Sequence, residues 1–147
     1  MENGNLSGSA VVARFTDGRV VKGTTHDFAP HKTSFHLCVV DDPSAKALVV
    51  PLGALKALFF VRTFAGNPKH VDNLALDDAK GPGRKIVVTF ADGEVICGLT
   101  SGYSKDKPGF FVVPVDPKGN NSRIFVVAAS VKSIAWGDAP VPVRTTV

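Results

Sequence analysis

Long hydrophobic runs are missing from this 147-residue chain, although 44% of its residues are hydrophobic. No run approaches the roughly 18 apolar residues that a membrane-spanning helix requires. The first nine residues are polar and rich in Gly, Asn and Ser, and they lack the charged and apolar regions of a secretory signal. We therefore expect a soluble, cytoplasmic protein that has no membrane partner.

Cysteine and clustered positive charge are also scarce. Cys38 and Cys97 each lie in an apolar stretch, where a buried thiol behaves as a small hydrophobic group, so we expect both to be structural. The net charge of +4 is spread over both halves of the chain without a polybasic block. Because phosphate-driven binding depends on clustered Lys and Arg, the charge alone indicates a nucleic-acid partner only weakly.

Groups that carry catalysis or hold a metal are not arranged in a pattern suited to either. No nucleophile motif, phosphate-binding glycine loop or dinucleotide fingerprint occurs. His26, His31 and His36 are spaced by five residues, but an odd spacing on strands points successive side chains to opposite faces. We therefore predict surface histidines rather than a zinc site, no cofactor and no enzymatic activity.

The chain does contain an internal duplication. The segment VVARFTDGRVVKGTTHDF, residues 11–28, returns as IVVTFADGEVICGLTSGY, residues 86–103. At an offset of 75 residues, eleven of the thirty positions from 12 to 41 are identical, whereas composition alone predicts about two. We refer to the two copies as repeat 1 and repeat 2, and to matching residues as counterparts. After one inserted residue the offset becomes 76, and the counterparts there include Lys56 with Lys132 and Phe60 with Trp136.

Each repeat predicts the same series of five short strands. The dipeptides Asp17-Gly18 and Asp92-Gly93 are typical of a two-residue hairpin turn, in which glycine supplies a positive φ. Alternating and β-branched residues on both sides of these turns favour strands rather than helices. The strands predicted in repeat 1 cover residues 11–16, 19–28, 35–40, 47–51 and 55–61.

A glycine in the middle of the second strand, Gly23 in repeat 1 and Gly98 in repeat 2, usually allows a bend or a bulge. Five short, bent strands favour a small barrel, because closure removes exposed edges. We predict repeat 1 over residues 8–66, a linker over 67–83 and repeat 2 over 84–138.

This strand order resembles the Sm-like barrel. The motif FTDG at residues 15–18, followed by Gly23, is similar to the first part of the Sm signature, and FADG at residues 90–93, followed by Gly98, repeats it. The resemblance implies an all-β protein of two tandem, small, five-stranded Sm-like barrel units. Sm-like proteins bind RNA through an Asp and an Asn in the loop after the second strand. No Asn stands in that loop here, so RNA binding is not implied.

Two further segments resemble a little-characterised bacterial domain family that is often found beside PilZ-type signalling domains. They are GYSKDKPGFFVVPVDPKGNNSRIFVV, residues 102–127, and LKALFFVRTFAGNP, residues 55–68. The resemblance implies a place in bacterial signalling but no chemistry. PilZ domains bind a cyclic dinucleotide through RxxxR and DxSxxG motifs, and neither motif occurs in this chain.

A candidate ligand site lies in repeat 2. The loop before the third strand of repeat 2 combines lysines with an aromatic ring. A nucleotide or single-stranded nucleic acid can stack on such an arrangement. A solvated hairpin tip over a buried Phe is the alternative interpretation, and Gly and Asn in the next loop are first of all turn formers. The candidate residues are Tyr103, Lys105, Lys107, Asn121 and Arg123.

Two functional hypotheses follow from these observations. The first is a non-catalytic binding or adaptor module in bacterial signalling or regulation, which contacts a protein partner through loops or a barrel edge. The alternative is a nucleic-acid or nucleotide-binding protein that uses the basic and aromatic loop of repeat 2. Homo-oligomers are compatible with both hypotheses.

Overall fold

A computed structural model describes residues 8–40, 47–64, 83–114 and 120–137. These residues form ten β-strands, two single turns of 3-10 helix and no α-helix. In this part of the chain no helix is long and apolar enough to span a membrane. The strands are β1 (Ser9–Phe15), β2 (Val20–Thr25), β3 (Ser34–Val39), β4 (Leu48–Pro51), β5 (Leu55–Val61), β6 (Arg84–Phe90), β7 (Val95–Thr100), β8 (Gly109–Pro114), β9 (Asn121–Val127) and β10 (Val131–Trp136).

The duplication in the sequence is also a duplication of structure. Strands β1 to β5 recur in the same order as β6 to β10. Phe35 lies opposite Val50 in the β3–β4 ladder, and their counterparts Phe110 and Val126 lie opposite each other between β8 and β9. The all-β class and the five strands of each repeat are therefore confirmed.

The two closed, five-stranded barrel units that the sequence predicts are not found. All ten strands join one antiparallel sheet in the order β10-β6-β7-β8-β9-β5-β1-β2-β3-β4, and this sheet is not closed into a barrel. The sheet stays open because β5, which pairs with β1 along one edge, pairs along its other edge with β9 of the other repeat. The β5–β9 ladder runs from Ala57 opposite Val126 to Val61 opposite Asn121. Pairing between the repeats thus satisfies the backbone groups of β5 that closure would otherwise satisfy.

Two hydrophobic cores lie in this one sheet, and each contains residues of both repeats. Phe125 of repeat 2 belongs to the core of repeat 1, whereas Ala57 and Phe59 of repeat 1 belong to the core of repeat 2. Burial of each Phe stabilises the fold by about 1.5–3 kcal/mol. The repeats therefore share their cores. Residues 65–82, which include most of the predicted linker, lie outside the described residues, and the domain boundaries stay predictions.

The glycines of the two Asp-Gly turns have the predicted positive φ. Gly18 has a φ of 95° and Gly93 a φ of 94°. Each loop has three residues rather than two, because the N–H of Phe15 donates to the carbonyl of Arg19 at 2.9 Å, and Phe90 repeats this bond in repeat 2. The glycine ends each loop in the left-handed region, which side chains disfavour.

The mid-strand glycines mark a close approach between neighbouring strands. A Cβ atom on Gly23 would collide with the carbonyl oxygen of Cys38, and one on Gly98 would collide with that of Val113. The cysteines differ from each other in burial. Cys97 is buried as predicted, whereas Cys38 is exposed, because it alternates outward on β3.

Candidate binding surface beside strand β10

The five predicted site residues lie in two places. Tyr103, on the loop between β7 and β8, is half-buried, with its ring centre 5.0 Å from that of Phe110 and 5.3 Å from that of Trp136. Lys105 and Lys107 are exposed on the same loop. The loop therefore combines a packed ring with solvated cations.

Arg123 and Asn121 lie instead on β9, at the junction between the repeats. The guanidinium carbon of Arg123 lies 4.3 Å from the ring centre of Phe60 and 4.6 Å from that of Phe111. The backbone of Asn121 lies opposite Val61 of β5. Both residues thus contribute to the contact between repeats, a role that the sequence did not suggest.

Lys107 connects the loop to this junction. It lines a cleft of about 240 Å³ together with residues of both repeats. Phe111 is common to this cleft and to the cation–π contact of Arg123. The full lining is Pro30, Ser101, Gly102, Lys107, Gly109, Phe110, Phe111 and Phe125.

Trp136 and Arg84 were missed in the sequence. Trp136 is the single Trp of the chain, and it packs against Tyr103, the single Tyr. The guanidinium carbon of Arg84 lies 4.1 Å from the centre of the Trp136 ring. The sequence did contain one signal for Trp136. Trp136 is the counterpart of Phe60, so an aromatic ring occupies the same position in both repeats.

A cleft of about 300 Å³ lies between the Tyr103 loop and β10. A second one, of about 250 Å³, lies between Tyr103, Trp136 and Arg84. The strand β10 pairs only with β6 in the described part of the chain, so the larger cleft lies beside a free sheet edge. This cleft is lined by Tyr103, Phe110, Ala128, Val131, Lys132, Ser133 and Ile134.

The equivalent surface of repeat 1 is covered by strand β9. The apolar residues of the larger cleft have as counterparts five residues that form, or pack against, the core of repeat 1. Phe125 and Val127 of β9 belong to that same core. In repeat 2, no described strand takes the place of β9. The five counterparts are Phe28, Phe35, Leu52, Leu55 and Leu58.

The counterpart strands of the two repeats also differ in burial. The first six residues of β5 are buried, whereas those of β10 are exposed or half-buried. At the other end of the sheet, Leu48 and Val49 of β4 are 40% and 58% exposed. Their counterparts on β9, Ile124 and Phe125, are 2% and 0% exposed. Both ends of the sheet therefore expose apolar positions that the junction buries.

A buried lysine adds charge pairing to the junction. Lys56 Nζ of β5 lies 2.7 Å from Asp92 Oδ2 and also contacts Glu94 Oε1. Burial alone would raise the pKa of Asp92, but hydrogen bonds from Lys56 and from the Glu94 N–H outweigh it and lower the pKa below 3.8. The counterpart Lys132 is exposed and lines the larger cleft.

The three spaced histidines do not come together as a metal site. His36 Nδ1 lies 2.6 Å from Asp27 Oδ2, and the His36 N–H donates to Asp27 Oδ1 at 2.9 Å. These two hydrogen bonds lower the pKa of Asp27 to about 2. Among the described residues, no group of His, Cys, Asp and Glu is arranged to hold a metal ion.

Comparison with known families identifies the group to which the chain is related. The model of a family of unknown function, DUF6982, matches residues 7–136, and the chain belongs to that family. No curated protein matches the chain. No solved structure matches it either.

Proposed function

We propose that this DUF6982 chain is a non-catalytic adaptor that binds an extended segment of a protein partner along the edge of β10. The partner segment adds a strand to the sheet, and its apolar side chains enter the cleft beside Tyr103. The proposed setting is bacterial signalling or regulation in the cytoplasm, in keeping with the sequence resemblance described above.

The observation that carries this proposal is the uncovered counterpart surface. In repeat 1, β5 and its neighbouring aromatic residues hold β9 by backbone pairing and by the insertion of Phe125. In repeat 2, β10 offers the same kind of edge and the same apolar positions, with no described strand against them. Strand addition of this type obtains its affinity from main-chain hydrogen bonds and its specificity from side-chain pockets.

The residue types at this surface also suit a protein partner. Trp, Tyr and Arg are enriched among the residues that dominate binding energy at protein interfaces. Tyr103 packs edge-to-face against Trp136, Arg84 lies over the Trp136 ring, and Ile134 adds a half-buried aliphatic side chain. An apolar cleft with an aromatic wall and a cationic rim is therefore available to a partner.

The fluorescence of Trp136 provides a direct test, because the chain contains no other Trp. The probe is a synthetic peptide with the sequence of residues 121–127, the segment that pairs with β5. At a protein concentration of about 1 µM, we expect peptide binding to shift the fluorescence emission of Trp136. In NMR spectra, the amide signals of residues 131–136 should shift as well. The control peptide carries Asp in place of Phe and should not bind. Unchanged signals at about 1 mM peptide, or equal binding of the control, would refute the proposal.

A nucleotide or single-stranded nucleic acid is the second candidate ligand, favoured by one observation. Lys107 lines a cleft whose wall includes the rings of Phe110 and Phe111, and bases stack on such rings beside cations. Titration with a single-stranded oligonucleotide and with a cyclic dinucleotide at low salt tests this candidate. Shifts at Lys105 and Lys107 that disappear with added salt are expected. The absence of shifts on this loop would eliminate it.

A further inference from the structure

We infer that the segment bound at β10 is strand β4 of a second copy of this chain, in a head-to-tail arrangement that repeats the β5–β9 junction between molecules. This inference rests on the proposed function, because it uses the same β10 surface. It adds the identity of the partner and the strand that the partner contributes.

The order of the strands in the sheet supports this pairing between molecules. Within the described residues β4 pairs only with β3, and β10 pairs only with β6, so these two strands are the ends of the sheet. They are also the counterparts of β9 and β5, the two strands that pair inside the chain. Each molecule therefore carries both halves of a junction that it already forms once internally.

The duplication also prescribes the register in which β10 and β4 would pair. Inside the chain, Leu58 lies opposite Phe125. At the offset of 76 residues, their counterparts are Ile134 and Val49, so Ile134 of one molecule would lie opposite Val49 of the next. Val49 is the most exposed of the large hydrophobic residues in the described part of the chain, whereas Phe125 is fully buried. Pairing between molecules would bury Val49 in the cleft beside Tyr103.

The strand next to β4 fits the same arrangement, because β3 neighbours β4 as β8 neighbours β9. Phe111 of β8 packs near Phe28 and Phe60, with ring centres 6.1 Å and 5.9 Å away. The counterpart of Phe111 is His36, whose side chain is 59% exposed. In the junction between molecules, the His36 ring would face the single Tyr and the single Trp of the next copy.

The junction between molecules would be weaker than the internal one. Val49 is smaller than Phe125, and fewer apolar atoms leave water. Lys56 meets two carboxylates, whereas Lys132 would meet Asp17 together with Arg19, a cation. We therefore expect reversible association that depends on concentration. A head-to-tail contact of this kind forms a ring when its rotation closes and an open array when it does not.

Sedimentation velocity between about 1 µM and about 1 mM tests the inference on the full chain. We expect wild type to form larger species as its concentration rises. Val49→Asp on β4 and Ser133→Asp on β10 should each weaken association at least about tenfold, because a charge enters the buried junction. The control is Val113→Asp, which charges another hydrophobic residue, 51% exposed, on the interior strand β8. It should associate as wild type does.

A mixture of the two edge variants distinguishes head-to-tail pairing from symmetric pairing. Val49→Asp keeps an intact β10, and Ser133→Asp keeps an intact β4. Together they should form a one-to-one dimer that neither variant forms alone. Unimpaired association of both single variants, or no dimer in the mixture, would overturn the inference. Circular dichroism of each variant confirms that it is folded.

The two proposals fail in different ways. If wild type remains monomeric at about 1 mM while the 121–127 peptide still binds at Trp136, self-pairing is wrong and the adaptor proposal holds. If neither association nor peptide binding occurs, both are wrong. If association occurs and Val49→Asp abolishes it, both are supported.

Discussion

Phe125 of repeat 2 packs edge-to-face on Phe28 of repeat 1, with the two ring centres 5.0 Å apart. The contact is one of several through which β9 completes the core of the other repeat. Aromatic pairs in this geometry contribute about 0.5–1.5 kcal/mol beyond the burial of their area. The stability of repeat 1 therefore depends on β9, a strand that belongs to the other repeat and begins at residue 121.

Phe125→Ala should thus destabilise the whole protein. Removal of a fully buried Phe leaves a cavity, and we expect the free energy of unfolding to fall by about 3–5 kcal/mol in urea melts. The counterpart substitution Val49→Ala provides the control, because Val49 is 58% exposed in a single molecule. At a dilution where the chain is monomeric, it should change the free energy by less than about 0.5 kcal/mol. Similar losses for both variants would contradict the assignment of Phe125 to the shared core.

Lys56→Met is expected to weaken the junction by removing the cation between Asp92 and Glu94. The two carboxylates would then repel each other at a partly buried position, at a cost of about 1–3 kcal/mol in the free energy of unfolding. The control is the exposed counterpart variant Lys132→Met, which should have little effect on a monomer. Equal urea midpoints for the two variants would show that the buried contact has no net effect on stability.

Arg123→Ala should also lower stability, because the Arg123 guanidinium lies over the rings of Phe60 and Phe111. Two cation–π contacts at an exposed position contribute about 1 kcal/mol together. Lys105→Ala removes a charge from the exposed loop tip and is expected to leave the urea midpoint unchanged. This pair of variants separates a role in the junction from a role in ligand binding. Unaltered stability of Arg123→Ala would return Arg123 to the ligand-site hypothesis.

Local patterns were sufficient to predict the strands and the positive φ of the turn glycines, but not the length of the loops or the way in which the repeats join. The Asp-Gly dipeptides determine their loops by local conformation alone, so the positive φ of Gly18 and Gly93 could be predicted. Pairing of β5 with β9 depends instead on which strand edges are left unpaired after each repeat has folded, and local sequence patterns do not specify this. One signal was nevertheless present, because LKALFFV in β5 does not alternate, and continuous apolar strands are typically buried on both faces.

The candidate site was predicted in part for the same reason. Tyr103 is among the predicted candidates because an aromatic ring between lysines is visible in the sequence. Trp136 and Arg84 approach it only through the pairing of β6 with β10. The sequence predicts a ligand-binding role for Arg123, whereas the structure places its guanidinium over two aromatic rings of the junction.

Gly93→Val tests the turn geometry. A β-branched residue resists the φ of 94° found at this position, so the free energy of unfolding should fall by about 1 kcal/mol or more. The matched control is Gly102→Val, since a Cβ atom on Gly102 meets nothing within 4 Å and its φ lies outside the positive region. Equal urea midpoints for Gly93→Val and wild type would refute the requirement for glycine.

Acid sensitivity should depend on Asp27. The hydrogen bonds from His36 lower its pKa from 3.8 to about 2, the side-chain bond more than the backbone bond. Between these two pH values the unfolded chain binds more protons at this position than the folded chain does. The stabilisation is therefore fully present above pH 3.8 and is lost as the pH falls towards 2. Because the Asp27 side chain is about one-third exposed, solvent screening limits the effect to about 1 kcal/mol at most.

Asp27→Asn should remove this part of the pH dependence. Urea melts between pH 2 and pH 5 are expected to give a shallower slope of stability against pH for Asp27→Asn than for wild type. Asp106→Asn, which alters an exposed aspartate on the loop of repeat 2, should keep the wild-type slope. Any difference in slope can be attributed to repeat 1, because repeat 2 has no equivalent pair. The counterparts of Asp27 and His36 are Gly102 and Phe111, which do not titrate. If Asp27→Asn and wild type lose stability in parallel as the pH falls, the Asp27–His36 pair does not contribute to folding.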